Sequence, residues 1–142
     1  MLKNEAIKYI ESENKYGDQK DLYHYNCAET LLNASNDYYK LDLDSKTFKL
    51  MVPFGGGFFL ERTCGAFTGG VAAIGAMFAE DKPTNNEILK EITKKWTQAF
   101  EKEFGSLDCK EIKPIHRDEV KGCGPVMVRA AELLESVISE YR

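Results

Sequence analysis

Four cysteines are the residues of this 142-residue chain best suited to chemistry: Cys27, Cys64, Cys109 and Cys123. A cysteine reacts as its thiolate, which attacks disulfides and oxidants and binds metal ions. No two of the four form a Cys-x-x-Cys pair, which excludes the thioredoxin type of dithiol and the zinc-ribbon knuckle. If these sulfur atoms act together, the tertiary fold and not a local loop must gather them.

Three of the cysteines lie where helices are predicted to begin. Asn26 is a predicted N-cap for a helix that starts at Cys27, Cys64 opens a segment of small residues, and Cys123 precedes Gly124-Pro125, a typical helix start. Unpaired N–H groups and the positive end of the helix dipole stabilise a thiolate at that position. We therefore expect lowered thiol pKa values there, and Cys64 as the attacking thiolate.

Helical periodicity along most of the chain predicts an all-α fold, a compact bundle of five or six helices. One of them is rich in Gly and Ala. Each glycine destabilises a helix by about 1 kcal/mol relative to alanine, and a close contact with another backbone would compensate. We therefore predict that this helix is buried at the centre of the bundle. Residues 58–60 form a strand-like run that is too short and isolated for a sheet. The stretch 106–122 is predicted to be a polar connection. The predicted helices cover 2–12, 27–39, 45–52, 63–79, 84–104 and 124–141. Thr84 and Glu87 have the spacing of a capping box at the start of the fifth helix, and Gly105 is predicted to end it.

Composition favours a single domain over residues 1–142, with an N-terminal helix and linker at 1–20 and the cysteine-bearing core at 21–142. The chain is 43% hydrophobic and 30% charged, with a net charge of −4. No like-charged run is longer than two residues, which argues against binding of nucleic acid or an anionic membrane. Without an apolar stretch suited to a signal peptide or membrane insertion, we expect a cytoplasmic protein with reduced cysteines.

A short motif around the second cysteine connects the chain to a known family. Residues 64–69 read CGAFTG and match the CGAxxG signature, and single cysteines precede and follow it. The chain resembles the redox-active protein family of the C_GCAxxG_C_C type over roughly residues 20–140. The resemblance implies a small bacterial or archaeal protein whose four cysteines carry the redox activity. The residues implied as support for the motif are Gly65, Ala66, Gly69, Gly55, Gly56 and Gly57.

Three functions remain open on this basis. In the first, a low-pKa thiolate attacks a disulfide or an oxidant, a second cysteine resolves the intermediate, and a redox partner of unknown identity is implied. In the second, all four thiolates hold an iron–sulfur cluster or another metal as cofactor. In the third, the chain is a non-catalytic helical interaction module whose cysteines are simply buried.

A few other residues are weaker candidates for the site. His24 and His116 are the only histidines and could serve as thiolate partners or ligands, although surface positions are the simpler interpretation. Arg62 could lower the pKa of Cys64 by its charge. The triplet 55–57 is Gly-Gly-Gly without a following Gly-Lys-Ser/Thr, which excludes a Walker loop and favours a turn that positions Cys64.

Overall fold

Seven α-helices and no β-strand make up the structure, a computed structural model that describes residues 1–142. Shorter helical turns link them: 3-10 turns at Ser12–Leu22 and Val52–Phe54, and a wide turn at Gly57–Glu61. The all-α class is confirmed. The helices are α1 (Leu2–Glu11), α2 (Cys27–Tyr39), α3 (Ser45–Lys49), α4 (Gly65–Phe78), α5 (Glu87–Phe104), α6 (Cys109–His116) and α7 (Gly124–Ser139).

The predicted count of five or six helices is too low. The additional helix is α6, which lies inside the stretch predicted to be a polar connection. Only Cys109 and Ile112 of α6 are buried, one helical turn apart, while the rest is charged or partly exposed and includes Pro114. Cys109, Ile112 and Ile115 do recur every three residues, but a run of eight residues that contains Pro114 is too short to indicate a helix by periodicity.

The start of α2 follows the predicted capping pattern. The Asn26 side chain accepts a hydrogen bond from the Glu29 amide at 2.8 Å, and the Glu29 carboxylate accepts one from the Asn26 amide at 3.0 Å. This reciprocal arrangement satisfies two N–H groups that the helix itself cannot pair. A similar box predicted from Thr84 to Glu87 is wrong, because α5 begins at Glu87 and the preceding Asn86 instead binds the loop backbone.

Helix α4 is the predicted central helix, and its small residues allow two close contacts. A Cβ atom added at Gly69 would lie 2.6 Å from the carbonyl oxygen of Ala28, so α2 and α4 cross in backbone contact. A Cβ atom at Gly70 would lie 2.6 Å from the indole ring of Trp96 on α5. The indole nitrogen donates to the carbonyl oxygen of Phe67 at 3.0 Å, which anchors α5 to α4.

The remaining helices surround this centre. Helix α1 packs against α2 and α7 and buries Leu2 and Ala6 completely, while the Leu2 amide donates to the Glu135 carboxylate at 2.7 Å. Helix α3 ends at Lys49 and not at Val52 as predicted, and a 3-10 turn follows it. No helix has the length and apolar character that crossing a membrane requires.

Candidate functional site

All four cysteines lie at helix N-termini. Cys27 and Cys109 are the first residues of α2 and α6, and Cys64 and Cys123 are the N-cap residues of α4 and α7. The sequence indicated this for three of them, and the unpredicted helix α6 adds Cys109. The four thiols lie close enough for their charges to act on one another. The fold therefore gathers sulfur atoms that are up to 96 positions apart in sequence (Cys27 to Cys123).

A pair of backbone hydrogen bonds holds Cys64 beside Cys109. The Cys64 amide donates to the Leu107 carbonyl at 2.7 Å, and the Cys109 amide donates to the Arg62 carbonyl at 2.7 Å. These bonds flank an isolated antiparallel bridge between Thr63 and Asp108. Because the bridge joins the residues just before the two cysteines, it fixes the N-termini of α4 and α6 side by side.

Glycine at position 65 lets α4 approach Cys27. A Cβ atom added there would lie 3.2 Å from the Cβ of Cys27 and 3.0 Å from the Ala28 nitrogen. Such distances are tighter than ordinary side-chain packing, so a larger residue would push α4 away from the start of α2. Gly65 thereby places Cys27 next to the Cys64 end of α4.

The glycine triplet at 55–57 packs against the residues that precede α2 and α4. A Cβ atom at Gly55 would lie 2.6 Å from the side-chain nitrogen of Asn26, the residue that caps α2. Gly57 has a φ of +62°, and a Cβ atom there would collide with the Arg62 backbone, two residues before Cys64. The turn therefore packs against Asn26, just before Cys27, and against Arg62, two residues before Cys64.

Cys123 is the cysteine whose thiolate is favoured. A hydrogen bond from the Cys27 thiol, together with the positive charges of Lys113 and Arg117, lowers the pKa of Cys123 to about 6 against the opposing effect of burial. The same hydrogen bond, together with burial, raises the pKa of Cys27. The pair therefore shares one proton, which resides on Cys27 while Cys123 carries the charge.

Cys64 does not have the lowered pKa expected of it from the sequence. Cys64 is 3% exposed, and burial raises the pKa of Cys64 to about 11 against the opposing effect of the Ala66 and Phe67 backbone. Burial likewise raises the pKa of Cys109, against the effect of Lys113. Desolvation of the thiolate outweighs the helix N-terminus at both positions.

Lys113 and Arg117 belong to the site but were missed in the sequence. Lys113 lies four positions after Cys109 and hence on the same face of α6, a spacing that could have indicated it. Arg117 follows α6 and reaches Cys123 across a turn in which Asp118 and Gly122 exchange backbone hydrogen bonds at 2.8 and 2.9 Å. The Asp118 carboxylate also accepts hydrogen bonds from the amides of Val120 and Lys121, and Gly122 has a positive φ, a pattern that could have indicated the turn.

The other candidates lie in different surroundings. His24 faces the Glu13 carboxylate at 3.2 Å, and His116 lies edge-on to the Phe104 ring, with 5.2 Å between ring centroids. Arg62 contributes its carbonyl group to the site, as the acceptor for Cys109. No group of three or more His, Cys, Asp or Glu side chains is arranged so that it could hold a metal ion.

The four cysteines divide by exposure into an outer and an inner pair. Cys27 and Cys123 are partly exposed, whereas Cys64 and Cys109 are buried. All four thiols are free. A thiol beside a thiolate at the surface is the arrangement that supports attack on a disulfide followed by resolution.

Comparison with known families agrees with the motif. Residues 25–137 match the family model described as "Putative redox-active protein (C_GCAxxG_C_C)", a span that contains all four cysteines. Comparison with curated proteins and with solved structures gave no significant match. The chain belongs to the C_GCAxxG_C_C family.

Proposed function

We propose that the chain is an oxidoreductase that exchanges thiols and disulfides through Cys123 and Cys27. The observation that carries the proposal is the proximity of Cys27 and Cys123, the first residue of α2 and the N-cap residue of α7, whose thiols shift each other's pKa beside two cations. It supplies a charged nucleophile and a neutral thiol of the same pair. Attack and resolution need those two groups within reach of each other.

The reaction proceeds in two balanced steps. The Cys123 thiolate attacks one sulfur of a substrate disulfide, which forms a mixed disulfide and releases the other sulfur as a thiolate. The Cys27 thiol then loses its proton and attacks the Cys123 sulfur, which releases the second substrate thiolate. The two cysteines lose two electrons and end as a disulfide, and the substrate disulfide gains them and ends as two thiolates. The Cys27 proton converts one of these to a thiol, and the other takes up a proton from water.

The electrostatics favour Cys123 as the attacking group. A thiol whose pKa lies near or below the ambient pH is largely ionised and still nucleophilic. Lys113 and Arg117 keep the charge of Cys123 stable before the attack. Once Cys123 enters the mixed disulfide, the hydrogen bond that raises the pKa of Cys27 is lost, so Cys27 ionises more easily at the moment when it must attack.

Cys64 and Cys109 serve as a slower inner pair. Their raised pKa values keep both as thiols at neutral pH, and burial restricts access to them. We therefore assign the first two electrons to Cys123 and Cys27.

A stoichiometric reaction with 5,5′-dithiobis(2-nitrobenzoate) tests the proposal. Reduced protein is expected to release two thionitrobenzoate anions per chain in a fast phase, as the outer pair closes. Cys123→Ser is expected to abolish that phase while α7 persists, because serine is a favoured N-cap residue. Cys64→Ser, the matched control, is expected to retain it. A fast phase that survives Cys123→Ser but is lost in Cys64→Ser would overturn the assignment.

A further inference from the structure

Large apolar side chains are exposed on the segments that carry the cysteines. Phe59 is 72% exposed and Leu60 is 73% exposed, a few residues before Cys64. Ile115 is 74% exposed on α6, and Val120 is 92% exposed in the turn before Cys123. Single exposed apolar residues are common, but a group of them beside a reactive site marks an interaction surface.

The backbone of Phe58–Leu60, here called the apolar loop, is held in an unfavourable conformation. Phe58 and Phe59 have φ values of +61° and +63°, a region that L side chains rarely adopt. Two bonds fix it, from the Phe59 amide to the Gly55 carbonyl and from the Arg62 amide to the Gly57 carbonyl, each of 3.0 Å. Strain of this kind persists where the surrounding structure imposes it and concentrates at functional sites.

The apolar loop is continuous with the cysteine site. Glu61, the next residue, accepts a hydrogen bond from the Lys113 ammonium group at 3.3 Å. The charge of Lys113 in turn acts on Cys109 and Cys123. A molecule in contact with the apolar loop would therefore lie beside the cations that surround the reactive thiolate.

We propose that the apolar loop is the docking surface for a protein substrate, namely a folded protein whose disulfide is bordered by apolar side chains and carboxylates. The inference rests on the proposed function, since the docked disulfide is attacked by Cys123. Apolar side chains of the partner cover Phe59 and Leu60, which removes their surface from water. Its carboxylates meet Lys113 and Arg117, so charge selects the partner and apolar contact holds it.

Short peptides that carry one cysteine as a mixed disulfide with thionitrobenzoate provide the probe. One peptide contains leucine, phenylalanine and glutamate around the cysteine, a second replaces glutamate by lysine, and a third contains serine and glycine. Attack by Cys123 releases the coloured thionitrobenzoate anion. The apolar acidic peptide is expected to react about tenfold faster than the serine–glycine peptide, the ratio that burial of one large apolar side chain supplies.

Variants separate docking from chemistry. The double variant Phe59→Ser, Leu60→Ser is expected to abolish the advantage of the apolar acidic peptide and to leave the rate with free 5,5′-dithiobis(2-nitrobenzoate) unchanged. Phe59→Gly, which adopts a positive φ without strain, is expected to reduce the advantage in a folded chain. Ile88→Ser on α5, where the side chain is 57% exposed, is the matched control and is expected to retain it.

Three results would overturn the docking proposal. Equal rates for all three peptides in the wild-type chain would contradict it while leaving the thiol chemistry intact. If Cys123 of the wild-type chain did not react with free 5,5′-dithiobis(2-nitrobenzoate), the result would contradict both the proposed function and the docking proposal. A wild-type dimer in size-exclusion chromatography that the double variant dissociates would assign the apolar loop to a second copy of the chain.

Discussion

Cys27, the first residue of α2, lies close enough to Cys123, the N-cap residue of α7, for each thiol to shift the pKa of the other. The two residues are 96 positions apart, and α1 packs against both helices. This contact distinguishes the outer pair from Cys64 and Cys109, which are buried and have raised pKa values. It gives each outer cysteine a distinct protonation state and therefore a distinct step in disulfide exchange.

The first prediction concerns the pH dependence of Cys123. Its pKa in the folded chain is lowered to about 6, so the thiolate forms as the pH rises through that value. The rate of alkylation by iodoacetamide at Cys123, followed by mass spectrometry of the labelled peptide, is expected to rise between roughly pH 5 and 7 and to level off below the pKa of free cysteine, near 8.5. A rate that rises only above pH 8 would contradict the thiolate assignment.

The second prediction concerns Lys113. Lys113→Gln removes a positive charge that stabilises the Cys123 thiolate, so the midpoint of that pH profile is expected to move upward. Lys110→Gln is the matched control, because Lys110 is an exposed lysine of the same helix and is not among the groups that shift the pKa of Cys123. Equal midpoints in the two variants would show that the Lys113 charge does not stabilise the Cys123 thiolate.

The third prediction tests the contact between α2 and α4. Gly69→Ala places a methyl group 2.6 Å from the Ala28 carbonyl oxygen, and such overpacking is expected to destabilise the fold by about 1–3 kcal/mol. Gly75→Ala in the same helix meets no atom within 4 Å and is expected to stabilise it by roughly 0.5–1 kcal/mol. Urea unfolding followed by circular dichroism measures both free energies. A neutral Gly69→Ala would show that the helices do not cross so closely.

The fourth prediction tests the strain in the apolar loop. Phe59 has a φ of +63°, so Phe59→Gly is expected to raise the free energy of unfolding by about 1 kcal/mol, although the exposed side chain is lost. Leu60→Gly is the control, because Leu60 has a φ of −124° and glycine relieves nothing there. If Phe59→Gly lowers the stability as much as Leu60→Gly does, the strain is not real.

Much of the fold follows from local sequence patterns, because those patterns act over a few residues. The Asn26 N-cap of α2, the glycine at 105 that ends α5 and the Gly124-Pro125 start of α7 all form as predicted. Helix α6 did not follow from its pattern, since it is only eight residues long and contains Pro114. The Thr84–Glu87 box failed because tertiary contacts of Asn86 compete for the same turn.

The site was less accessible to sequence reasoning, because it depends on burial and on distant charges. The sequence indicated that Cys64 lies at a helix N-terminus, but it did not indicate that Cys64 is only 3% exposed. Burial raises the pKa of Cys64, whereas the helix N-terminus alone was expected to lower it. The cations beside Cys123 come from another helix and the residue after it. Only the packed fold brings Lys113 and Arg117 to that sulfur.

Mapping of the first disulfide tests the central claim most directly. Reduced protein would be treated with one equivalent of 5,5′-dithiobis(2-nitrobenzoate), the remaining thiols blocked in acid, and the chain digested for mass spectrometry. The expected product is a Cys27–Cys123 disulfide with Cys64 and Cys109 still carrying the blocking group. A Cys64–Cys109 disulfide as the first product, with Cys27 and Cys123 still blocked as thiols, would contradict it.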